Sequence, residues 1–194
     1  METTVADKRT TILATTLDLI AENGFHGTPM SQVAKRSGVS AGIIYHYFES
    51  KDDLIEALYR DIKARWSAAI MAGTPEALPY PEHLQQIWLN AYRFYVAHPQ
   101  ETVFLEQYEN SPYPHDWSNV AQDDNMARLF ALIQSDIDAG YIRALPLPVL
   151  HELTLGVAIG LAKHQINGVL DLDEAALEQT ADACRRAIER ETYD

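Results

Sequence analysis

Cysteine, long apolar stretches and positive charge are all scarce in this 194-residue chain. Its one cysteine, Cys184, excludes an intramolecular disulfide and a cysteine-based zinc site. No uninterrupted apolar run approaches the roughly 20 residues that a membrane-spanning helix needs. The first residues, METTVADKRTT, contain no apolar signal core, so export is not expected. We therefore expect a cytoplasmic protein with no membrane partner.

Signatures of an enzyme or a metal site are also missing. The chain has seven histidines, but none forms the His-x-x-x-His or Glu-x-x-His spacing that places two ligands on one face of a helix. No phosphate-binding loop is evident either. We predict that the protein is not an enzyme and that it has no metal and no cofactor.

The charge balance is acidic, with 15 Lys and Arg residues against 28 Asp and Glu residues and a net charge of -13. An acidic balance disfavours nucleic acid binding, because phosphates repel an acidic surface. The acidity is uneven, however: residues 1–60 have a net charge of -2 and residues 61–194 a net charge of -11. Salt screens exposed charges beyond roughly 8–10 Å. The charge therefore does not exclude DNA binding by the first 60 residues.

Helical signals dominate the chain and strand-like alternation is absent. The pattern predicts an all-α protein, with a small N-terminal bundle of three helices followed by a larger C-terminal helical domain. We place these domains at residues 1–50 and 51–194. Breaks at glycine and proline predict the following helices: 5–23, one from Pro29, one from Ser40, one from Ser50 to about Ala72, and then 82–97, 99–110, 118–139, 147–167 and 173–191.

The most informative segment is 38–54, which reads GVSAGIIYHYFESKDDL. Ser37-Gly38-Val39 can make the tight turn of a helix-turn-helix, whose second helix enters the major groove of DNA. Ile44 and Phe48 would point inward, and the opposite face would read bases or bind phosphate. The predicted DNA contacts are Thr28, Ser31, Ser40, Ala41, Gly42, Tyr45, His46, Tyr47 and Lys51.

With these residues the first 60 positions resemble the TetR family of bacterial transcriptional regulators. The resemblance rests on Gly24-Phe25, Thr28, Val33-Ala34, Gly38-Val39-Ser40, Gly42, Tyr45, Tyr47-Phe48 and Lys51-x-x-Leu54. It implies nine or ten helices, a homodimer formed by the last two long helices, a palindromic operator, and a ligand cavity in the C-terminal bundle. Tyr47 stands where many relatives have histidine, and Ala41 and Ile43 are apolar where some have polar contact residues. The operator sequence therefore stays open.

The C-terminal part is rich in aromatic residues at helical spacing. Such residues form a core or line a pocket for a hydrophobic or aromatic effector, and the sequence leaves both open. The candidate pocket residues are Trp66, Ile70, Trp88, Tyr92, Tyr95, Phe104, Tyr108 and Phe130. In the helix at 147–167, Gly156 and Gly160 would let a partner helix approach closely.

These patterns favour a ligand-responsive repressor that binds a double-stranded DNA operator as a homodimer and is released by a small-molecule effector. The alternative is a DNA-bound adaptor that interacts with another protein and has no small effector. The weakest hypothesis is an enzyme that uses histidines and carboxylates of the C-terminal domain.

Overall fold

The computed structural model describes residues 5–113 and 123–190, and the regular elements in these two ranges are all helical. This confirms the predicted all-α class. The helices are α1 (Val5–Asn23), α2 (Met30–Ser37), α3 (Ala41–Tyr47), α4 (Lys51–Ile70), a 3-10 turn (Pro75–Ala77), α5 (Glu82–Ala97), α6 (Pro99–Glu109), α7 (Asp124–Asp138), α8 (Leu147–Leu153), α9 (Leu155–Ile166) and α10 (Glu174–Ile188).

Side-chain caps fix several of the helix starts. The N–H of Asp53 donates to the hydroxyl of Ser50 over 3.1 Å, and the Asp53 carboxylate accepts the N–H of Glu49 over 3.0 Å. Both bonds satisfy backbone N–H groups at the start of α4. Asp123 accepts N–H groups in the first turn of α7, and Asp173 does so in α10. The first residues of the helix predicted at 118–139 lie outside the described residues.

The chain divides into two compact units. Within the described residues, the first unit comprises 5–63 and 100–113, and the second comprises 64–99 and 123–190. The helix α4 contributes to both units. The first unit extends beyond residue 50, the boundary expected from the sequence, and includes most of α6. In that helix Gln100 donates to Asp18 of α1, and Tyr108 stacks on Tyr59 of α4.

The first unit is built around α1, which packs against α2 and α3. Ile12, Leu19 and Ile20 of α1 are fully buried. Leu54 and Leu58 of α4 are buried in the same unit. Burying one such side chain contributes roughly 1.5–3 kcal/mol, so this core holds the short helices α2 and α3 in place.

In the second unit α5 packs against α9 and α10. A smaller buried cluster joins Ile142, Leu150 and Ile188, from the segment after α7, from α8 and from the end of α10. One ionisable pair is buried as well: His83 Nε2 lies 2.7 Å from Asp136 Oδ2.

The helix predicted at 147–167 is not continuous. It breaks at Thr154, which has φ -125° and ψ -84°. The Thr154 hydroxyl donates to the carbonyl of Leu150 over 2.6 Å, and the Thr154 carbonyl accepts the indole N–H of Trp88 over 3.1 Å. Threonine side chains that bond the preceding turn compete with the helix ladder. The Thr154 hydroxyl thus bonds the Leu150 carbonyl at the break, and the Trp88 contact at the same residue is one that sequence periodicity does not show. In the described ranges, no helix is long and apolar enough to cross a membrane.

Candidate nucleic-acid interface

The turn between α2 and α3 depends on one glycine. Gly38 ends α2 with φ 68° and ψ 10°, in the left-handed region where other residues are strained. A Cβ at Gly38 would meet nothing within 4 Å, so the backbone angle, rather than lack of space, requires glycine. The next N–H, of Val39, donates to the Ser37 hydroxyl over 3.2 Å. The structure thus confirms the turn predicted at Ser37-Gly38-Val39.

Helix α3 has one buried face and one exposed face. Ile44 and the following Phe48 are buried, as the sequence predicted, and they fix the rotation of the helix on the first unit. On the other side the Tyr45 side chain is 54% exposed. Four further predicted contact residues are exposed with it, namely Ser40, Ala41, Gly42 and His46.

The N-terminal end of this exposed face, at Ser40, Ala41 and Gly42, is its leading edge and carries almost no side-chain bulk. A Cβ at Gly42 would meet nothing within 4 Å, so no contact inside the protein explains the glycine. Ser40 occupies the N-cap position of α3, but its side chain makes no capping hydrogen bond. Its exposed hydroxyl is therefore not used to hold the helix. These features suit a surface that another molecule approaches closely.

Residues 38–42 also spell the pattern Gly-x-Ser-x-Gly, which in hydrolases marks a nucleophilic serine on a strand-to-helix turn. Here the pattern connects two helices, α2 and α3, and Ser40 follows no strand. The structural context that would support a nucleophile is missing, so the pattern does not indicate catalysis.

Thr28 is one predicted contact that the structure uses differently. Its side chain is only 1% exposed, and its hydroxyl donates to the carbonyl of Gly24 over 2.9 Å. Thr28 thus closes the end of the α1–α2 connection. The residue that begins the exposed part of α2 is Ser31.

Lys51 and Tyr47 lie at the edge of the exposed face and are half-buried. The Lys51 ammonium donates to the carbonyl of Phe25, which ties the first turn of α4 to the α1–α2 connection. An ammonium group has three donors, so this contact leaves Lys51 able to meet a phosphate. The Tyr47 ring packs edge-on against His46, with 5.6 Å between ring centroids.

Of the other basic residues near this face, Arg36 is already paired. Its guanidinium donates two hydrogen bonds to the carboxylate of Glu22, over 2.5 and 2.6 Å. The hydrogen bond and the charge of Arg36 lower the pKa of Glu22, so the pair stays ionised at neutral pH. Arg36 therefore links α2 to α1.

An aromatic cluster braces the unit that carries α3. The Phe25 ring lies edge-on to Phe104, Tyr108 and Tyr113, with centroid separations of 5.7, 6.5 and 5.5 Å. Tyr59 of α4 stacks on Tyr108 of α6 with 4.0 Å between centroids. Burial, together with the nearby Tyr108 and Glu109, raises the pKa of Tyr59 to about 12. The cluster is therefore uncharged packing at neutral pH.

A short helix with a small leading edge and an exposed phenol fits the major groove of DNA, which is about 12 Å wide. Comparisons with known proteins agree with this geometry. The family model described as bacterial regulatory proteins, tetR family, matches residues 12–58, and the model described as tetracyclin repressor-like, C-terminal domain, matches residues 79–189. The chain belongs to the TetR family.

Whole-length relatives support the same assignment. An uncharacterized HTH-type transcriptional regulator from Haemophilus influenzae is 28% identical over 179 residues, which cover 92% of this chain and 94% of the relative. The solved structure of a TetR family protein from Vibrio parahaemolyticus has a TM-score of 0.81 and 29% identity, and the match covers 95% of this chain and 100% of that one. A TetR family regulator from Marinobacter aquaeolei VT8 shares the fold with a TM-score of 0.86 at 20% identity, and the match covers 95% and 96% of the two chains. This protein is therefore a helix-turn-helix transcriptional regulator of the TetR type. Its relatives are regulators and not enzymes.

The eight predicted pocket residues of this TetR-type chain are not all in one unit. Phe104 and Tyr108 belong to the first unit and form part of its aromatic cluster. The other six are in the second unit, where Phe130 is half-buried and five are buried, namely Trp66, Ile70, Trp88, Tyr92 and Tyr95. Trp88 stacks on Tyr92 with 5.7 Å between centroids, and Trp66 lies 6.5 Å from Tyr95.

Sequence reasoning missed the contacts that connect distant segments. Tyr113 hydrogen-bonds Asp52, although 61 positions separate them. A group of arginines near the end of α10 also passed unnoticed, because the net charge of residues 61–194 is strongly negative. The close spacing of Arg185, Arg186 and Arg190 was a usable signal.

Proposed function

We propose that this TetR family regulator is a ligand-responsive repressor that binds a palindromic operator as a homodimer and is released by a small hydrophobic or aromatic effector. The exposed face of α3 carries this proposal, since Tyr45 and His46 project from it and Gly42 leaves it open to close approach. The proposed DNA contacts are Ser31, Ser40, Ala41, Gly42, Tyr45, His46, Tyr47 and Lys51.

Homodimer formation is supported by the apolar character of α8 and α9. Leu147, Val149 and Leu153 are exposed on α8. On α9 a Cβ at Gly160 would meet nothing within 4 Å, which leaves space for a helix of a second copy. A symmetric dimer would present two copies of α3 to DNA half-sites about 34–36 Å apart, one turn of the duplex or a multiple of it.

The effector proposal is supported by the aromatic residues of the second unit. Trp66, Trp88, Tyr92 and Tyr95 supply the apolar surface that hydrophobic ligands favour. An effector releases DNA only if it binds the DNA-incompetent state more tightly than the competent one. Because α4 begins at Lys51 and continues to Ile70, past Trp66, we propose that it carries the change.

The deciding experiment is an electrophoretic shift assay with duplexes from the region around the protein's own gene. We expect retardation of one fragment that contains an inverted repeat, at two protein chains per repeat, and weaker binding as salt rises. Absence of any sequence-selective shift would contradict the proposal.

Once an apolar compound that releases the operator is identified, Trp66→Ala should change its potency and leave operator affinity unchanged. Equal potency in the two proteins would remove Trp66 from the effector site.

A further inference from the structure

A cleft of about 530 Å³ opens on the second unit, at the end of α10 and the segment after α7. Its volume is in the range of small-molecule sites. None of the residues that line it belongs to the proposed DNA interface or to the aromatic set considered for the effector. The side chains that define it are Tyr80, Tyr141, Arg143, Arg186, Glu189 and Arg190.

The backbone holds one wall of this cleft in place. The N–H of Arg143 donates to the carbonyl of Ile188 over 2.8 Å, and the N–H of Arg190 donates to the carbonyl of Tyr141 over 2.9 Å. These two bonds flank an antiparallel bridge between Ile142 and Glu189. The Arg143 side chain also donates from Nε to the carbonyl of Glu189 over 3.0 Å. The cationic side chains therefore start from a fixed backbone, which lowers the ordering cost of binding.

Arginine is the commonest residue type among the described residues that line the cleft. Its carboxylate, Glu189, already accepts the guanidinium of Arg185 over 2.6 Å and the hydroxyl of Tyr80 over 3.1 Å. Asp182 beside it is shared by Arg185 and Arg186, over 2.7 and 3.0 Å. Among the described residues, the guanidinium groups of Arg143 and Arg190 also stand at this cleft. Guanidinium groups match the geometry of phosphate and carboxylate oxygens.

An aromatic surface adjoins these arginines. The rings of Tyr80 and Tyr141 stack with 4.5 Å between centroids and 16° between planes. Tyr141 remains 48% exposed, so a flat ligand ring has room to pack against it. Offset stacking of two rings contributes about 0.5–1.5 kcal/mol beyond the area that it buries.

From this juxtaposition we infer that the cleft is a binding site for a small molecule that carries a phosphate or carboxylate group next to a flat ring. The arginines bind the oxyanion, and Tyr141 stacks on the ring. This site lies on the second unit alone, and the inference does not depend on DNA binding.

Phenyl phosphate is the probe that combines both features, and titration calorimetry on the full chain at low salt is the test. We expect saturable binding with a Kd of about 1 mM or tighter, weakened by added salt. Inorganic phosphate, which has no ring, should bind more weakly. Absence of saturation up to about 10 mM phenyl phosphate would overturn the inference.

Substitutions locate the bound probe. Arg186→Gln with Arg190→Gln removes two exposed cations and should weaken phenyl phosphate binding about tenfold. Arg93→Gln, an exposed arginine of the same unit that pairs with Glu174, is the matched control and should leave the Kd unchanged. Tyr141→Ala should abolish the difference between phenyl phosphate and inorganic phosphate. Unchanged binding in the double variant, or an undiminished preference for phenyl phosphate in Tyr141→Ala, would overturn the assignment.

Discussion

Tyr113 donates its phenolic hydrogen to Asp52 Oδ1 over 2.7 Å and thereby ties the segment after α6 to the first turn of α4. The Tyr113 ring packs on Tyr108 as well, with 5.4 Å between centroids. Burial, the hydrogen bond to Asp52 and the charge of Asp52 raise the pKa of Tyr113. The phenol therefore keeps its hydrogen across neutral pH, and the contact persists beside the proposed DNA contact Lys51.

Tyr113→Phe removes this hydrogen bond and keeps the ring. We expect the free energy of unfolding to fall by about 1 kcal/mol, since a net hydrogen bond contributes that much. Urea denaturation followed by circular dichroism measures the change. Asp52→Ala removes the acceptor and should cost at least as much, and the double variant should cost little more than Asp52→Ala alone. Fully additive losses would show that the two side chains do not interact.

Particular residues show why some of this structure was predictable. Ser50 and Asp53 indicate the start of α4, and Gly38 indicates the turn before α3, because capping and positive φ are local requirements. Ile44, Phe48 and Leu54 follow helical spacing, so their burial follows from the sequence. These are short-range rules.

The differences arise from contacts that sequence periodicity does not show. Thr154 breaks the predicted helix where its carbonyl meets Trp88, 66 positions away. Thr28 has the residue type of a DNA contact, yet its hydroxyl is used by Gly24 inside the unit. The arginine cleft combines residues from three separated segments, and their local charge is hidden by the acidity of the chain as a whole.

The buried pair of His83 and Asp136 predicts a pH dependence of stability. Burial alone would lower the pKa of His83, but the hydrogen bond and charge of Asp136 outweigh burial and raise it. The folded protein thus binds this proton more tightly than the unfolded chain, whose histidine pKa is about 6.5. The stabilisation is fully present below about pH 6.5 and is lost as pH rises through the elevated folded-state pKa.

Asp136→Asn tests this dependence through urea unfolding measured between about pH 5.5 and 9. We expect the variant to be destabilised by roughly 1–3 kcal/mol at the acid end, with a smaller difference from the wild type at the alkaline end. His164→Gln changes an exposed histidine of the same unit. Its difference from the wild type in free energy of unfolding should not vary with pH. A gap that widens with rising pH would reverse the sign and contradict the assignment.

Tyr45 should contribute to operator affinity and not to stability, because its ring is more than half exposed on α3. We expect Tyr45→Ala to weaken operator binding by about 1–3 kcal/mol, measured by fluorescence anisotropy on a labelled duplex. Its melting temperature should stay near that of the wild type. Tyr141→Ala removes a comparably exposed tyrosine from the second unit and should leave operator affinity unchanged. A loss of stability in Tyr45→Ala would place the ring in the core.

Gly42 separates the demands of folding from those of DNA recognition. A Cβ there meets no atom within 4 Å, so Gly42→Ala should raise the free energy of unfolding by roughly 0.5–1 kcal/mol through reduced backbone entropy. If the leading edge of α3 lies against the duplex, the added methyl group should weaken operator binding, and Gly42→Leu should weaken it further. Urea unfolding and anisotropy titrations on the same preparations give both quantities. A variant that is more stable and binds the operator as well as the wild type would show that DNA does not approach this edge.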